Sequence, residues 1–382
     1  MGSEGLVQQT ALSSPPQTNK AKTYSRIKLT AGIISSVFSF SLLFLLVACG
    51  ITRDIESWAR SVLSHDYGTL LVFGSLIGLA ETVVTLPIGF YSGYIIEHRY
   101  QLSNQSVGKW IWERLKEMLV SLPIAIGLVA LLFFCLRVYG SWWWLPVAAA
   151  VTLLSVVLAR LAPVLIMPLF YKFTPIENGS LKEKILRLCS NAGLRIEGIF
   201  SFDLSKNTQK ANAGFTGIGK SKRIILGDTL VKEFTENEIE TVFAHELGHY
   251  KFHHILIGIL LGSVSTFMGL FVTAQLFERS ITSFGFSSIT DIAALPLLPL
   301  WLSLFGLVTV PLGNVISRHH ERQADSYAVR ATGNKHAFVA ALRKLASTNL
   351  ADADPHPLVE FLFYSHPSIS KRINMVESVR TR

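Results

Sequence analysis

Apolar residues gather into six long runs along this chain, at about 31–51, 68–96, 119–136, 143–168, 255–277 and 292–316. Each is near or above the length needed for a helix to cross the roughly 30 Å hydrocarbon layer of a bilayer. The third run is short and contains Pro123, and the sixth carries Pro296, Pro299 and Pro311, so a kink or break is expected there. Two polar stretches, 169–254 and 317–382, lie outside the runs. Within the first, residues 181–192 have helical spacing: Leu181, Ile185 and Leu188 fall on one side, Lys182, Lys184 and Arg187 on another, and Gly193 supplies the stop. Segments 199–204 and 223–226 read as strands, and the glycine-rich 212–219 between them reads as a turn, which together make a hairpin or small sheet. Thr235 with Glu238 three residues on is a capping box that starts a further helix.

The expected fold is therefore mainly α: about six membrane helices carrying an α+β domain assembled from two soluble segments. Residues 1–26, rich in Ser, Gln, Thr and Pro, read as a disordered tail. Residues 27–168 form a four-helix membrane region, 169–254 a soluble insert, 255–316 a membrane hairpin and 317–382 a soluble C-terminal segment.

Composition agrees with that division. Half of the 382 residues are hydrophobic and 16% are charged, too apolar a balance for an ordinary soluble domain of this size. Lys20, Lys22, Arg26 and Lys28 precede the first run, and Arg99, Lys109, Arg114 and Lys116 lie between the second and third, while the alternate loops are poorer in basic residues. This asymmetry sets the N-terminus, and by counting spans both polar stretches, on the cytosolic side of a bacterial inner membrane or an endoplasmic reticulum. The net charge of +9 is accounted for by such flanks beside anionic lipid and calls for no nucleic acid. Three cysteines make no disulfide framework, and Cys49, Cys135 and Cys189 read as structural. The Leu46-Val47-Ala48-Cys49 box resembles a lipoprotein cleavage site, but its polar leader is long and its apolar run long enough to span, which favours an uncleaved helix. Position 6 after Gly2 is not Ser or Thr, so the myristoylation pattern fails.

Candidate chemistry centres on His245-Glu246-Leu247-Gly248-His249, just ahead of the fifth run. Imidazoles four residues apart share one helix face and can grip a single zinc ion, and the intervening Glu246 is placed to act on a water rather than on the metal. A catalytic zinc site needs a third protein ligand and an open position. Glu321, in His319-His320-Glu321-Arg322-Gln323-Ala324-Asp325, is the candidate; it can also be read as a charge paired with Arg322 or Arg318, and His319 and His320 are rival ligands. Asp325, four residues on, faces the same way and can accept a hydrogen bond from the outer nitrogen of a ligating histidine. His253 and His254 read as interfacial residues. Taken alone, Asn212 is equally a turn residue and His366 a helix-start residue. An intramembrane protease of the site-2 type would need an Asp-Gly pair in a later span, which is absent. A transporter or scaffold with a structural zinc clip would be closed by four ligands, and Glu81 and Arg160 are the charges set within spans.

HELGH before a span, ERQAD after the next, NAGFTG upstream and SHPSISKRI near the end together resemble the type I CAAX prenyl protease family of integral-membrane zinc metallopeptidases. Fainter matches are Glu97-His98-Arg99 and Phe173-Thr174-Pro175-Ile176. The resemblance implies one zinc ion per subunit on His245, His249 and Glu321, Glu246 as general base and Asp325 supporting the ligands from behind. It further implies that Asn212 holds substrate backbone, that His366 steadies the oxyanion and that Arg372 supports the site. The implied substrates are peptides or proteins, prenylated or membrane-embedded, met at the lipid bilayer: either a prenylated CAAX terminus or a membrane protein under quality control. Eukaryotic members are longer and usually show seven membrane helices, so six spans imply a smaller membrane chamber.

Overall fold

The computed structural model describes residues 15–176, 179–194, 196–216 and 223–380. Its elements in chain order begin with α1 (Pro15–Ala48), α2 (Ile51–Val62), α3 (Asp66–Phe90, running on to Arg99 through a π-helical turn), α4 (Val107–Tyr139) and α5 (Trp144–Leu161, running on to Phe170 through a second π-helical turn). The polar insert contributes β1 (Phe173–Pro175), α6 (Ser180–Asn191), β2 (Gly198–Phe202), β3 (Ala213–Thr216), β4 (Arg223–Gly227), α7 (Asp228–Glu233) and α8 (Glu236–Lys251). The chain continues through α9 (His254–Ser280), α10 (Leu297–Thr332), α11 (Lys335–Thr348), α12 (Pro357–Phe363) and α13 (Ile369–Ser378).

Six helices among the described residues are long and apolar enough to cross a membrane, in the six places the apolar runs mark. Three boundaries differ from the sequence reading. The first helix starts at Pro15, so residues 15–26 are helix and not tail, and residues 1–14 lie outside the described residues. Ala21 and Tyr24 are buried, and the Tyr24 hydroxyl donates to Glu97 at 2.6 Å, an anchorage that polar composition hides. The third span is not short: it runs Val107–Trp142 with Pro123 inside, because Ser106 caps the helix more than three turns before the apolar run begins. The sixth span does not break. Pro296 is the N-cap and Pro299 sits in the first turn, where a missing N–H costs nothing, and only Pro311 lies in the helix interior.

The consequence is that α10 is one rod of 36 residues, about 54 Å long at 1.5 Å per residue. A bilayer core takes up roughly 30 Å of that. The remainder carries the ERQAD residues straight out of the membrane into the polar domain.

That domain has one core drawn from both polar segments. Ile185, Ile224, Leu226, Leu230, Ile239, Phe243 and Leu247 from the first pack with Ala328, Phe338, Leu342 and Val376 from the second. The sheet runs β1-β2-β4-β3, with β2 and β4 parallel and both outer pairs antiparallel. A small sheet is present, but the two expected strands, β2 and β4, run parallel and form no hairpin; Ala213–Thr216, expected as a turn, is instead strand β3 and pairs antiparallel with β4, and residues 217–219 lie outside the described residues. A second core around Phe73, Phe133, Trp143, Phe277 and Leu297 ties the opposite ends of the spanning helices together. Between the two cores α9 packs against α5 and α10, and side chains such as Leu153, Leu260, Leu307 and Val308 face outward as the surface lipid would cover.

Helices α8 and α10 meet at Gly248. A Cβ there would lie 2.9 Å from the Cα of Ala324, closer than two carbons approach. Gly→Ala inside a helix ordinarily stabilises by about 1 kcal/mol. Gly248→Ala is expected to do the reverse and destabilise by about 1–3 kcal/mol through overpacking. Gly306→Ala, where a Cβ meets nothing within 4 Å, should not. Thermal unfolding of the two variants in detergent checks the opposite signs.

Candidate metal centre

Helix α8 begins with the reciprocal cap expected of it: Thr235 Oγ1 accepts from Glu238 N at 3.3 Å, and Glu238 Oε2 accepts from Thr235 N at 2.8 Å. Two and a half turns later the helix presents His245 and His249 on one face, with their Nε2 atoms 3.2 Å apart. From α10, Glu321 Oε1 approaches His249 Nε2 to 3.2 Å and Glu321 Oε2 approaches His245 Nε2 to 3.4 Å. One donor atom from each of the three lies within 4.8 Å of the others.

The donor set fits a divalent metal. Glu321 is 4% exposed, and its Oε2 has no hydrogen-bond partner, an orphaned buried acceptor that a cation would satisfy. Two imidazoles and a carboxylate are the ligand types that suit zinc. Burial alone would push the His245 imidazole down; the carboxylates of Asp325 and Glu321 outweigh it and raise it to about 9. In the absence of metal a proton is thus drawn to the place where positive charge is wanted.

Behind the donors lies an ion pair whose carboxylate is fully buried and whose guanidinium is largely so. Asp325, 0% exposed, accepts from Arg372 Nε at 2.9 Å and from Arg372 Nη2 at 2.6 Å, and its Oδ1 is 2.7 Å from His245 Nδ1. With the Nδ1–H of His245 given to Asp325, the Nε2 lone pair is free to face the metal position.

Glu246 lies between two cavities. One, of about 540 Å³, is lined by Asn212, His245, Glu246, His366 and Arg372 and backed by the apolar side chains Leu230, Val242, Phe338 and Leu342. The other, of about 720 Å³, opens from Glu246 and His249 along α9 and α10 between Leu261, Met268, Phe305 and Leu312. His366 is exposed, with Nε2 3.3 Å from Glu321 Oε1 and Nδ1 3.0 Å from Ser365 Oγ. Asn212 is exposed beside β3, and its carbonyl accepts from Gly227 N at 2.8 Å.

All eight residues singled out from the sequence therefore converge on this centre. The rivals do not join it: His320 stacks instead on His254 at 4.0 Å between ring centroids, and neither His319 nor His320 belongs to the triad. His254 itself needs correction, because it is 6% exposed and sits between His249 and Gln323 rather than at an interface. Gln323 was passed over in the sequence. The signal was its position, two residues from each of Glu321 and Asp325 on one helix.

Comparison with known proteins bears on what this centre does. The model of peptidase family M48 matches residues 175–380, and the model described as CAAX prenyl protease N-terminal, five membrane helices, matches residues 10–172. In the latter region the described residues hold four helices long enough to span, the twelve-residue α2 being too short. The Bacillus subtilis (strain 168) protein named "Uncharacterized metalloprotease YhfN" is 31% identical over 367 residues, covering 95% of this chain and 86% of its own. CAAX prenyl protease 1 of Saccharomyces cerevisiae is 31% identical over 394 residues, covering 94% and 86%. The crystal structure of S. mikatae Ste24p superposes with a TM-score of 0.85 at 27% identity, over 96% of this chain and 90% of that one. The buried His-His-Glu donors, the six spanning helices and these matches together place the chain in peptidase family M48, as a multi-pass membrane metalloprotease.

Proposed function

We propose that this metalloprotease holds one zinc ion on His245, His249 and Glu321 and cleaves peptides that carry a lipid or a membrane segment beside the scissile bond, in the manner of a CAAX prenyl protease. The observation that carries this reading is the place of Glu246, at the junction of a polar-rimmed cavity and an apolar one that descends between two spanning helices. A soluble peptide has no use for the second. A lipidated residue fills it, while the residues after the scissile bond occupy the first, where Leu230, Val242, Phe338 and Leu342 offer an apolar wall.

When bound, zinc would supply Lewis-acid polarisation at the point where the three donors converge. The chain's own groups do the rest. Glu246 takes a proton from the attacking water as the C–O bond forms, and returns it to the leaving amine as the C–N bond breaks. His366, on the open side of Glu321, donates an N–H to the carbonyl oxygen as that oxygen gains charge. Asn212 and the neighbouring edge of β3 hold substrate backbone in extended form. Asp325 keeps the His245 tautomer, and Arg372 keeps Asp325 ionised and in place.

The basic flanks support a cytosolic site. Lys28, just before the apolar run of α1, and Lys210 just before Asn212 both pair with Glu97, each at 2.9 Å, so the basic end of the bundle is the end that carries the metal centre.

Glu246→Gln is expected to retain zinc and lose about 10²–10⁴-fold in kcat, the span of a general base. Detergent-purified enzyme and this variant should be compared on a farnesylated CAAX peptide and its unprenylated twin. Glu246-dependent cleavage confined to the lipidated peptide is the expected result; equal cleavage of both would replace the lipid requirement with general membrane-protein quality control. Gly262 lines the apolar cavity with open space at its Cβ position. Gly262→Phe should therefore raise KM for the farnesylated peptide roughly tenfold or more, the loss of about 1.4 kcal/mol of apolar contact. Asp325→Asn should weaken zinc binding about 10–100-fold in a chelator competition.

A further inference from the structure

His249 has to present Nε2 to the metal position, since that atom faces His245 Nε2 and Glu321 Oε1. A neutral imidazole with a free Nε2 carries its proton on Nδ1, and that proton needs an acceptor. Among the described residues no carboxylate is paired with it. The atom within reach is Nδ1 of His254, at 3.0 Å, and a second imidazole nitrogen accepts only if its own proton is held on the other side of the ring. His254 Nε2 is 2.9 Å from Oε1 of Gln323, an oxygen that can only accept. The direction of the chain is then determined. Gln323 accepts from His254 Nε2–H, His254 Nδ1 accepts from His249 Nδ1–H, and the lone pair of His249 Nε2 is left facing inward.

We propose that His254 and Gln323 are positioning residues that select the metal-binding tautomer of His249, the neutral counterpart of what Asp325 does for His245. The inference rests on the reading of His245, His249 and Glu321 as a metal site. The fold is arranged around the contact. His253 adopts a left-handed backbone at φ 58°, unusual for a non-glycine residue, and that sharp turn ends the path from α8 and brings His254 back beneath His249. The His254 ring lies flat on His320, with centroids 4.0 Å apart and planes within 9°, which holds the imidazole plane in line with both partners. Gln323 lies between Glu321 and Asp325, so one stretch of α10 supplies a ligand and the outer support of both imidazoles. A neutral partner also has an electrostatic reason. Glu321 already offsets part of a divalent charge, and a second ionised carboxylate against His249 would offset more of it and weaken the pull on a bound carbonyl.

The test is zinc binding by full-length protein in detergent, read by chelator competition and independent of turnover. His254→Phe keeps the ring on His320 and removes the acceptor; it is expected to weaken zinc binding roughly 10–100-fold. Gln323→Met, which cannot accept, should weaken it in the same sense, and Gln323→Glu, which can, should hold zinc at least as well as the unmodified chain. This pair reads the relay even if His254→Phe does not fold. Wild-type affinity in His254→Phe or Gln323→Met overturns the proposal, as does equal weakening by Met and Glu at position 323, which would mean that shape rather than the acceptor matters. Failure of the unmodified protein to take up zinc would instead overturn the metal site itself.

Discussion

The close approach of α8 to α10 at Gly248 and Ala324 is the constraint on which the metal centre depends. Neither helix alone holds more than part of the site. The spacing of His245 and His249 puts two imidazoles on one face, and only a neighbouring helix near enough to touch backbone can bring a side chain as short as glutamate between them. Gly248 lies between His245 and His249 in sequence and on the side of α8 that meets α10, so the small residue and the histidine pair are one device. Phe243, Leu247, Ala328 and Phe338 fill the space around the crossing and hold the approach.

Buried charge is the second condition. Asp325 is removed from water entirely and Arg372 for the most part, and such a pair is tolerable only when its lone pairs and protons are used. Here they are: the guanidinium meets the carboxylate twice, and the carboxylate meets His245. The pair converts a desolvation cost into rigidity at the one ring that has to be aimed. Glu321, by contrast, keeps one buried oxygen, Oε2, without a hydrogen bond, on the side of the carboxylate that faces His245. Because α10 is continuous from the apolar cavity to these residues, the cavity and the donor cluster are referred to the same rigid element.

How much of this was legible in the sequence follows from the range of the interactions involved. Six spans, the capped start of α8 and the spacing of its two histidines are local or periodic, and all are present where the pattern put them. The ordered set of motifs carried the remaining candidates, Glu321, Asp325, Asn212, His366 and Arg372, which lie around one cavity and the donor cluster beside it. What the pattern did not show is set by distant partners. Tyr24 makes the polar start of α1 helical through Glu97, seventy-three residues away. Ser106 adds turns of mixed polarity, with Lys109, Glu113, Arg114, Lys116 and Glu117 among them, to the third span before its continuous apolar run begins. Asn212 to Thr216 looked like a turn because its glycine content is local, while its pairing with β4 is not. His254 looked interfacial because its neighbours are aromatic and apolar, and its partners, His249 and Gln323, lie on two other helices.

X-ray absorption at the zinc edge of the purified protein tests the central claim most directly, because it reads the donors without reference to substrate. A nitrogen and oxygen shell at about 2.0–2.1 Å, with the outer-shell scattering of two imidazoles and no sulfur, is the result this account predicts. A third imidazole, drawn from His254 or His320, or a sulfur shell would contradict it.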